Sequence, residues 1–244
     1  MTVNFFLNSS SKLDQFILKI PLRECREPLI KLGEEKVPGL VFNTKKSSGK
    51  TKIWVLRRSV AKALFSAASR FWAEGYLLSL EDSYRNPKVQ GEMFLRYLSE
   101  VRKQFPALSS VKAQQKANTF IAGIPILAAH TAGAAVDVIL LARNGRKVID
   151  MGCDYLTLGS EAITDNPNLN EKQIANRRLL KSILSQNGFI NYPYEYWHYS
   201  LGDACAAYLT SRKFAIYGPV DYNLKTGKTV FPSDHQKFYQ FYRA

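Results

Sequence analysis

The stretch LAAHTAGAAVDVILL at residues 127–141 decides the fold expected for this chain. Its second half, AAVDVILL, is an apolar run broken by a single charged residue, Asp137, and a run of this length predicts a buried strand. Asn144 and Gly145 follow as a strong hairpin-turn signal, so residues 147–149 are the expected return strand. The stretch therefore predicts antiparallel pairing around a buried strand.

A helix and then a second strand are predicted upstream of that stretch. Apolar residues between Val60 and Phe71 recur at the spacing of one helix face, with Ser59 as a candidate N-cap and Gly75 as the residue after the helix. The run YLLSL at 76–80 predicts a buried strand that follows directly.

The remaining segments complete a mixed pattern. Residues 37–58 carry short apolar runs around a Ser/Gly/Lys loop, which indicates a loop or the edge of a hairpin. Helical character, capping residues and aromatic, β-prone segments predict further elements: helices over 88–105, 109–121 and 170–186, and strands within 189–201. This order predicts an α+β fold, a single domain with helices packed on a central antiparallel sheet.

Composition and charge narrow the class of protein. The chain has 244 residues, of which 46% are hydrophobic, which is enough to bury a core. It contains no apolar run of about 18 residues, so we expect no membrane-spanning helix. The first residues, MTVNFFLNSSSKLDQF, lack the pattern of a secretory signal, and three cysteines give no disulfide framework, so we expect a cytoplasmic protein with reduced thiols.

The net charge of +14 favours contact with polyanions through long-range attraction. The basic residues are dispersed, however, and no nucleic-acid-binding motif is present. We therefore expect no specific nucleic-acid partner, while binding of an anionic polymer stays open as an alternative function. The sequence does not determine the oligomeric state.

Two of the three histidines have neighbours that indicate a metal site. His130 lies in a loop of small residues just before the predicted strand, and Asp137 lies seven residues later within it. An imidazole and a carboxylate are ligands that zinc accepts, and a metal would satisfy a carboxylate placed among apolar residues. Taken alone, the pair is equally consistent with two separate structural hydrogen bonds.

The segment YEYWHYS offers a third ligand and a base. Glu195 and His198 are three residues apart, a spacing that places both side chains on one face of a turn. A catalytic zinc usually has three protein ligands and an open position for water, and a nearby carboxylate can accept the proton of that water. Trp197 would pack the wall of such a site. Taken alone, the segment is also consistent with an aromatic core strand that contains a hydrogen-bonded histidine.

The turn EDSYRNP at 81–87 places an arginine after an apolar strand. The guanidinium of Arg85 could stabilise the oxyanion of a tetrahedral intermediate. The alternative is an ordinary ion pair with Glu81 or Asp82.

Together these motifs resemble the D-alanyl-D-alanine dipeptidases and the related D,D-carboxypeptidases. The order is Asp-Ser-Tyr-Arg, then His-x6-Asp, then Glu-x-Trp-His, and the likeness covers roughly residues 22–200. The resemblance implies a zinc peptidase domain over 22–200 with its metal site in a cleft. Residues 1–21 are then an N-terminal extension, and residues 201–244 are a C-terminal extension packed on the same domain.

The resemblance assigns roles to individual residues. It implies that one zinc ion per chain is bound by three ligands, which are His130, Asp137 and His198. Glu195 matches the catalytic base, and Arg85 matches the residue that stabilises the transition state. Candidate substrate-binding residues are Tyr84, Trp197 and Asp154.

The sequence departs from the dipeptidase pattern at three positions. Tyr196 replaces the second tryptophan usual in the dipeptidases, and Ala128 replaces a serine found in many members. The dipeptidases carry a Met-Gly element, matched here by Met151 and Gly152, and an aspartate after it that helps to hold the substrate ammonium; Asp154 is shifted by one residue from that aspartate. We therefore expect hydrolysis of D-Ala-D-Ala or a similar short peptide derived from the cell wall, with D,D-carboxypeptidase action on longer peptides as the close alternative.

Overall fold

The structure is a computed structural model that describes residues 12–44, 52–157 and 159–243. Residues 12–17 are helical. The α-helices that follow are α1 Arg58–Ala73, α2 Pro87–Gln104, α3 Ser110–Asn118, α4 Glu171–Gln186 and α5 Ala204–Leu209. The strands are β1 Leu29–Lys31, β2 Leu40–Phe42, β3 Val55–Arg57, β4 Tyr76–Asp82, β5 Ala135–Ala142, β6 Ile190–Asn191, β7 His198–Ser200, β8 Asp221–Asn223 and β9 Lys228–Val230. The predicted α+β class is confirmed.

The chain divides into two compact units, each assembled from separate stretches. The first unit comprises the described parts of Met1–Arg26, Arg85–Ala132 and Gly202–Ala244. The second comprises the described parts of Glu27–Tyr84 and Gly133–Leu201. The boundaries predicted after residues 21 and 200 stay predictions.

A five-stranded sheet in the order β2-β4-β5-β7-β6 is the framework of the second unit. Three neighbouring pairs are antiparallel, whereas β2 runs parallel to β4. A parallel pair needs a long connection, and the chain between these two strands includes helix α1. The predicted antiparallel sheet is therefore confirmed, with one parallel strand added at its edge.

The centre of this sheet is apolar. Side chains of β4 and β5 such as Leu78, Leu80, Val138 and Leu140 are 0% exposed. Burying an aliphatic side chain of this size contributes about 1.5–3 kcal/mol relative to leaving it in water. These two strands therefore form a firm support for the polar residues at their ends.

The first turn of helix α1 is capped by the carboxylate of Glu27, which belongs to another segment. The amide and the hydroxyl of Ser59 both donate to Oε1 of Glu27, at 2.7 and 2.8 Å. Ser59 was predicted as the N-cap, but the N-cap residue is Arg57, whose side chain makes no capping hydrogen bond. The prediction was wrong because Glu27 supplies the acceptor that a capping side chain would give. Gly75 follows the helix with a φ of +88°, as predicted.

The hairpin predicted at Asn144 and Gly145 is shorter than expected, and residues 37–58 supply two strands that pair elsewhere. Strand β2 pairs with β4 and strand β3 pairs with β1, while the loop predicted between them includes residues 45–51, which lie outside the described residues. Gly145 turns the chain with a φ of +79°, but the described return segment is limited to a single bridge between Leu141 and Val148. Val148 is 57% exposed, so this segment buries too little apolar surface to extend the sheet.

The first unit contains α2, α3, α5 and the β8–β9 hairpin. Pro87 opens α2, and the side chain of Asn86 caps it by accepting from the amide of Lys88 at 2.8 Å. The C-terminal segment packs on this helix: Tyr242 lies over Gly91, where a Cβ atom would come within 2.8 Å of its ring. Residues after 201 therefore contribute to the interior of this unit.

Among the described helices, none combines the length and apolar character that a bilayer crossing requires.

Candidate metal centre and active site

His130 lies in a short 3₁₀ turn, Ala129–Ala132, immediately before β5. Its side chain is buried, with 7% of the residue exposed. Gly133 follows with a φ of +64°, and a Cβ atom there would come within 2.1 Å of Leu29. The packing against Leu29 therefore requires a glycine at position 133 of this loop of small residues.

Asp137 and His198 are direct partners in the ladder between β5 and β7. Side chains of register partners in an antiparallel pair project from the same face of the sheet. Nδ1 of His198 lies 2.9 Å from Oδ1 of Asp137. Asp137 is 4% exposed, and burial of a carboxylate at this depth requires charged or hydrogen-bonding partners.

The three predicted ligands come together. His130, Asp137 and His198 each offer one ligand atom, and these atoms lie within 4.8 Å of one another. Two imidazoles and one carboxylate form a donor set that a metal ion can accept. The cluster could therefore hold a metal ion.

Glu195, the predicted base, lies in the turn that leads into β7. Its carbonyl oxygen accepts from the amide of His198 at 3.2 Å and from Nδ2 of Asn191 at 3.0 Å. The same Asn191 nitrogen donates to the carbonyl of His198 at 3.1 Å, and Oδ1 of Asn191 accepts from Thr164 at 2.6 Å. The side chain of Asn191 therefore fixes the turn that carries both the predicted base and a predicted ligand.

Arg85 is half-buried at the start of the first unit's central stretch. Its guanidinium donates from Nη1 to Oε1 of Gln90 at 2.7 Å, and Gln90 donates in turn to the carbonyl of Ala122 at 2.8 Å. A planar guanidinium held by a buried amide has a restricted orientation, which suits a donor aimed at developing negative charge.

The predicted substrate-binding residues have different surroundings. Tyr84 is 2% exposed and forms an isolated bridge with Ile53. Trp197 is 1% exposed and packs edge-on against Tyr155 and Tyr196. Asp154 is exposed on a turn. Substrate contacts by these three residues stay predictions.

The loop after Met151 is held by two side chains from other elements. Nε of Arg177 in α4 donates to the carbonyl of Met151 at 2.7 Å, and Nη2 donates to the carbonyl of Glu161 at 2.8 Å. The hydroxyl of Tyr196 donates to the carbonyl of Cys153 at 3.1 Å. Burial raises the pKa of the Tyr196 phenol, so this hydroxyl keeps its proton and remains a donor. The departure from tryptophan at position 196 thus anchors this loop.

Tyr155 in that loop contacts the predicted ligand Asp137. Its hydroxyl donates to Oδ2 of Asp137 at 2.9 Å. Sequence reasoning missed this contact, because Tyr155 and Asp137 are 18 residues apart and the loop must fold back to join them. Asn191 was missed for the same reason. The available signal was the position of Asn191 in the sequence, since it is a polar residue between helix α4 and the segment that contains Glu195.

Comparison with known proteins gives a consistent result. Residues 42–216 match a family model described as D-Ala-D-Ala dipeptidase. A D-alanyl-D-alanine dipeptidase of Synechocystis sp. is 28% identical, over 84% of this chain and 96% of that protein. The D-alanyl-D-alanine dipeptidases of Streptomyces coelicolor and Enterococcus faecalis are 30% and 27% identical, over 59% and 60% of this chain and 71% and 72% of their own lengths.

Solved structures with some similarity include two peptidases. One is a mutant of the vancomycin resistance D,D-pentapeptidase VanY in complex with Zn(II), with a TM-score of 0.41 and 18% identity over 81% of this chain and 96% of that one. The other is the LD-carboxypeptidase LdcB, with a TM-score of 0.45 and 20% identity over 78% of this chain and 76% of that one.

Proposed function

The chain belongs to the D-Ala-D-Ala dipeptidase family of metallopeptidases, and on that premise we propose that it hydrolyses D-Ala-D-Ala or a similar short wall-derived peptide with one zinc ion. The observation that carries the proposal is the cluster of His130, Asp137 and His198, whose ligand atoms lie within 4.8 Å of one another.

The residues of the cluster fit zinc. A catalytic zinc site typically takes three protein ligands of the imidazole and carboxylate classes and leaves a fourth position for water or substrate. Asp82 in β4 is the register partner of Asp137 in β5 at a β-bulge, and both residues are buried.

Zinc held by these residues would supply Lewis acidity toward the peptide carbonyl and make a water acidic enough to deprotonate near neutral pH. Glu195 then acts as general base: it accepts a proton from the attacking water as the new carbon–oxygen bond forms. The protonated Glu195 gives this proton to the nitrogen of the departing amine when the carbon–nitrogen bond breaks. Asn191 fixes the backbone of the turn that carries this carboxylate, because its side chain donates to the carbonyls of Glu195 and His198.

Arg85 is the proposed stabiliser of the transition state. During attack the carbonyl oxygen gains negative charge, and a guanidinium donor aimed at that oxygen binds it more strongly than it binds the neutral substrate. The hydrogen bond to Gln90 would fix the guanidinium before substrate arrives, so that no reorganisation is needed at the moment of reaction.

The length of the substrate separates the dipeptidase from the carboxypeptidase alternative. A dipeptidase needs a partner for the free ammonium of its substrate, and Asp154 is our candidate for that partner. The names of the relatives support a dipeptide substrate for this chain. One of them, the D-alanyl-D-alanine dipeptidase of Synechocystis sp., is matched over 96% of its own length.

The proposal is tested by a hydrolysis screen and a metal assay on the purified protein. We expect cleavage of D-Ala-D-Ala, weaker cleavage of L-Ala-L-Ala and of a pentapeptide ending in D-Ala-D-Ala, and about one zinc per chain. Faster cleavage of the pentapeptide would support the carboxypeptidase. No cleavage and no zinc after supplementation would support the remaining alternative, a binder of anionic polymers that uses the net charge of +14.

A further inference from the structure

We infer that Tyr155 is a positioning residue for the metal site: its phenol fixes the carboxylate of Asp137 in the orientation that metal binding requires. This inference deepens the proposed function and rests on it. It concerns a residue outside the ligand set, to which sequence reasoning assigned no role.

The two oxygens of Asp137 face different groups. Oδ2 accepts the hydroxyl of Tyr155 at 2.9 Å, while Oδ1 lies 2.9 Å from Nδ1 of His198. A carboxylate can rotate about its terminal bond, and a phenol donor on one oxygen restricts that rotation. Because the phenol engages Oδ2, the carboxylate presents Oδ1 toward its fellow ligand. Groups that orient ligands in this way typically change metal affinity by about 10–100-fold.

Tyr155 is itself held in place by its ring. The ring packs edge-on against Trp197 with centroids 5.6 Å apart and an interplanar angle of 85°. Trp197 precedes the ligand His198, and its carbonyl accepts from the amide of Val138, the residue after Asp137. The phenol is therefore fixed against the same strand pair that carries the two ligands.

The backbone around Tyr155 is also constrained. Leu156, the next residue, has a φ of +68°, a left-handed conformation that non-glycine residues rarely adopt. It is 58% exposed, so no burial of its side chain compensates for this conformation. Such conformations persist where surrounding contacts over-determine them, and here Arg177 and Tyr196 hold the backbone carbonyls of Met151 and Cys153. We take the strained turn as the device that directs the phenol back to Asp137.

The test compares Tyr155→Phe with wild type and with a matched control, Tyr76→Phe. The first change removes one oxygen atom and retains the ring contact with Trp197. Tyr76 is the first residue of β4, whereas Asp82 is the last. It pairs with Ala142 at the end of β5 that is distant from Asp137. Zinc affinity is measured by competition with a chelator, and thermal unfolding of the metal-free proteins checks that both variants fold.

We expect Tyr155→Phe to bind zinc about 10–100-fold more weakly and to recover most of its kcat when zinc is saturating, because the hydroxyl orients a ligand and does not touch substrate. A Co(II)-substituted form should show a changed visible absorption spectrum in Tyr155→Phe and an unchanged one in Tyr76→Phe. If wild type binds one zinc and Tyr155→Phe binds it equally tightly, the role of Tyr155 is overturned while the proposed function stands. If wild type binds no zinc, both are overturned.

Discussion

The backbone amide of Arg85 donates a hydrogen bond to the carbonyl oxygen of His130, with 3.1 Å between nitrogen and oxygen. This bond joins the arginine turn to the histidine turn within the first unit. The C-terminal stretch secures both turns, since the amide of Val220 donates to the carbonyl of Thr131 at 3.0 Å and Asn86 donates to Asp221 at 2.6 Å. Two motifs that are distant in sequence are thus fixed to a common backbone support.

The metal assignment predicts a different result for two histidines. His130→Ala should lose both bound zinc and activity, because one of three protein ligands is removed. His235→Ala is the matched control, since this histidine lies outside the ligand cluster, and it should keep both. Zinc content is measured by elemental analysis after dialysis. Full zinc occupancy in His130→Ala would show that the ligand assignment is wrong.

The proposed base can be separated from the ligands. Glu195→Gln keeps the shape of the side chain but cannot accept a proton, so zinc should remain bound while kcat falls by about 10²–10⁴-fold. Glu100→Gln, an exposed change on α2, should leave both quantities unaltered. Near-normal turnover of Glu195→Gln would transfer the role of base to another carboxylate, with Asp154 as the next candidate.

The arginine should act in the transition state. Arg85→Lys keeps the charge but loses the planar donor pair, so kcat should fall by about 10²–10³-fold with zinc content unchanged. Gln90→Ala leaves the guanidinium in place and removes the side chain that orients it, so a smaller fall in kcat is expected. Steady-state kinetics on D-Ala-D-Ala measure both. A loss confined to KM would assign Arg85 to ground-state binding instead.

Asp154 should distinguish substrates by their free amine. If its carboxylate pairs with the ammonium of a dipeptide, Asp154→Ala raises KM for D-Ala-D-Ala and leaves the N-acetylated form unaffected. Asp165→Ala, at an exposed carboxylate that pairs with Lys181, is the control. The measurement is kcat/KM on both substrates for all three proteins. Equal losses on the two substrates, or no loss on either, would exclude Asp154 from the site.

The raised pKa of the Asp14 carboxyl predicts that the stability of the protein depends on pH. Burial raises the pKa of this carboxyl from 3.8 to about 7, against the opposing effect of its hydrogen bond from Asn118. A folded-state pKa above the unfolded value gives a contribution that is complete below about pH 4 and is lost as the pH rises to about 7. Asp14→Asn should therefore gain stability relative to wild type across that window and keep the gain above it.

Chemical denaturation at pH 4.5, 6 and 8, chosen as roughly spanning that window, measures the difference in free energy of unfolding. Exposed Asp234→Asn should show no such trend. A constant difference between Asp14→Asn and wild type at all three pH values would contradict the raised pKa.

The candidate ligands and base could be selected from the sequence because each motif is local. His130 and Asp137 belong to one turn and the strand that follows it, and Glu195 and His198 belong to one turn. These charged or polar residues stand within apolar or aromatic stretches of sequence, so they can be recognised without a structure. Strand β4 was likewise visible as a continuous apolar run, because both of its faces are buried.

The supporting residues could not be identified in the same way. Tyr155, Asn191 and Gln90 act through single hydrogen bonds to residues that tertiary structure brings near, and a tyrosine or an amide in a loop has no distinctive pattern. The capping of α1 was missed for a related reason: its acceptor comes from Glu27, and local spacing contains no information about a partner that is remote in sequence.

Because Asp137 and His198 are paired in one ladder, the lengths of β5 and β7 are constrained. Inserting one residue into β5 or β7 shifts every later side chain to the opposite face of the sheet, so a single insertion there would separate the two candidate ligands. The exposed turn at residues 143–146, directly after β5, is under no such constraint. Natural variants and engineered insertions should therefore accumulate at exposed places such as the turn at Arg146, while β5 and β7 keep a constant length.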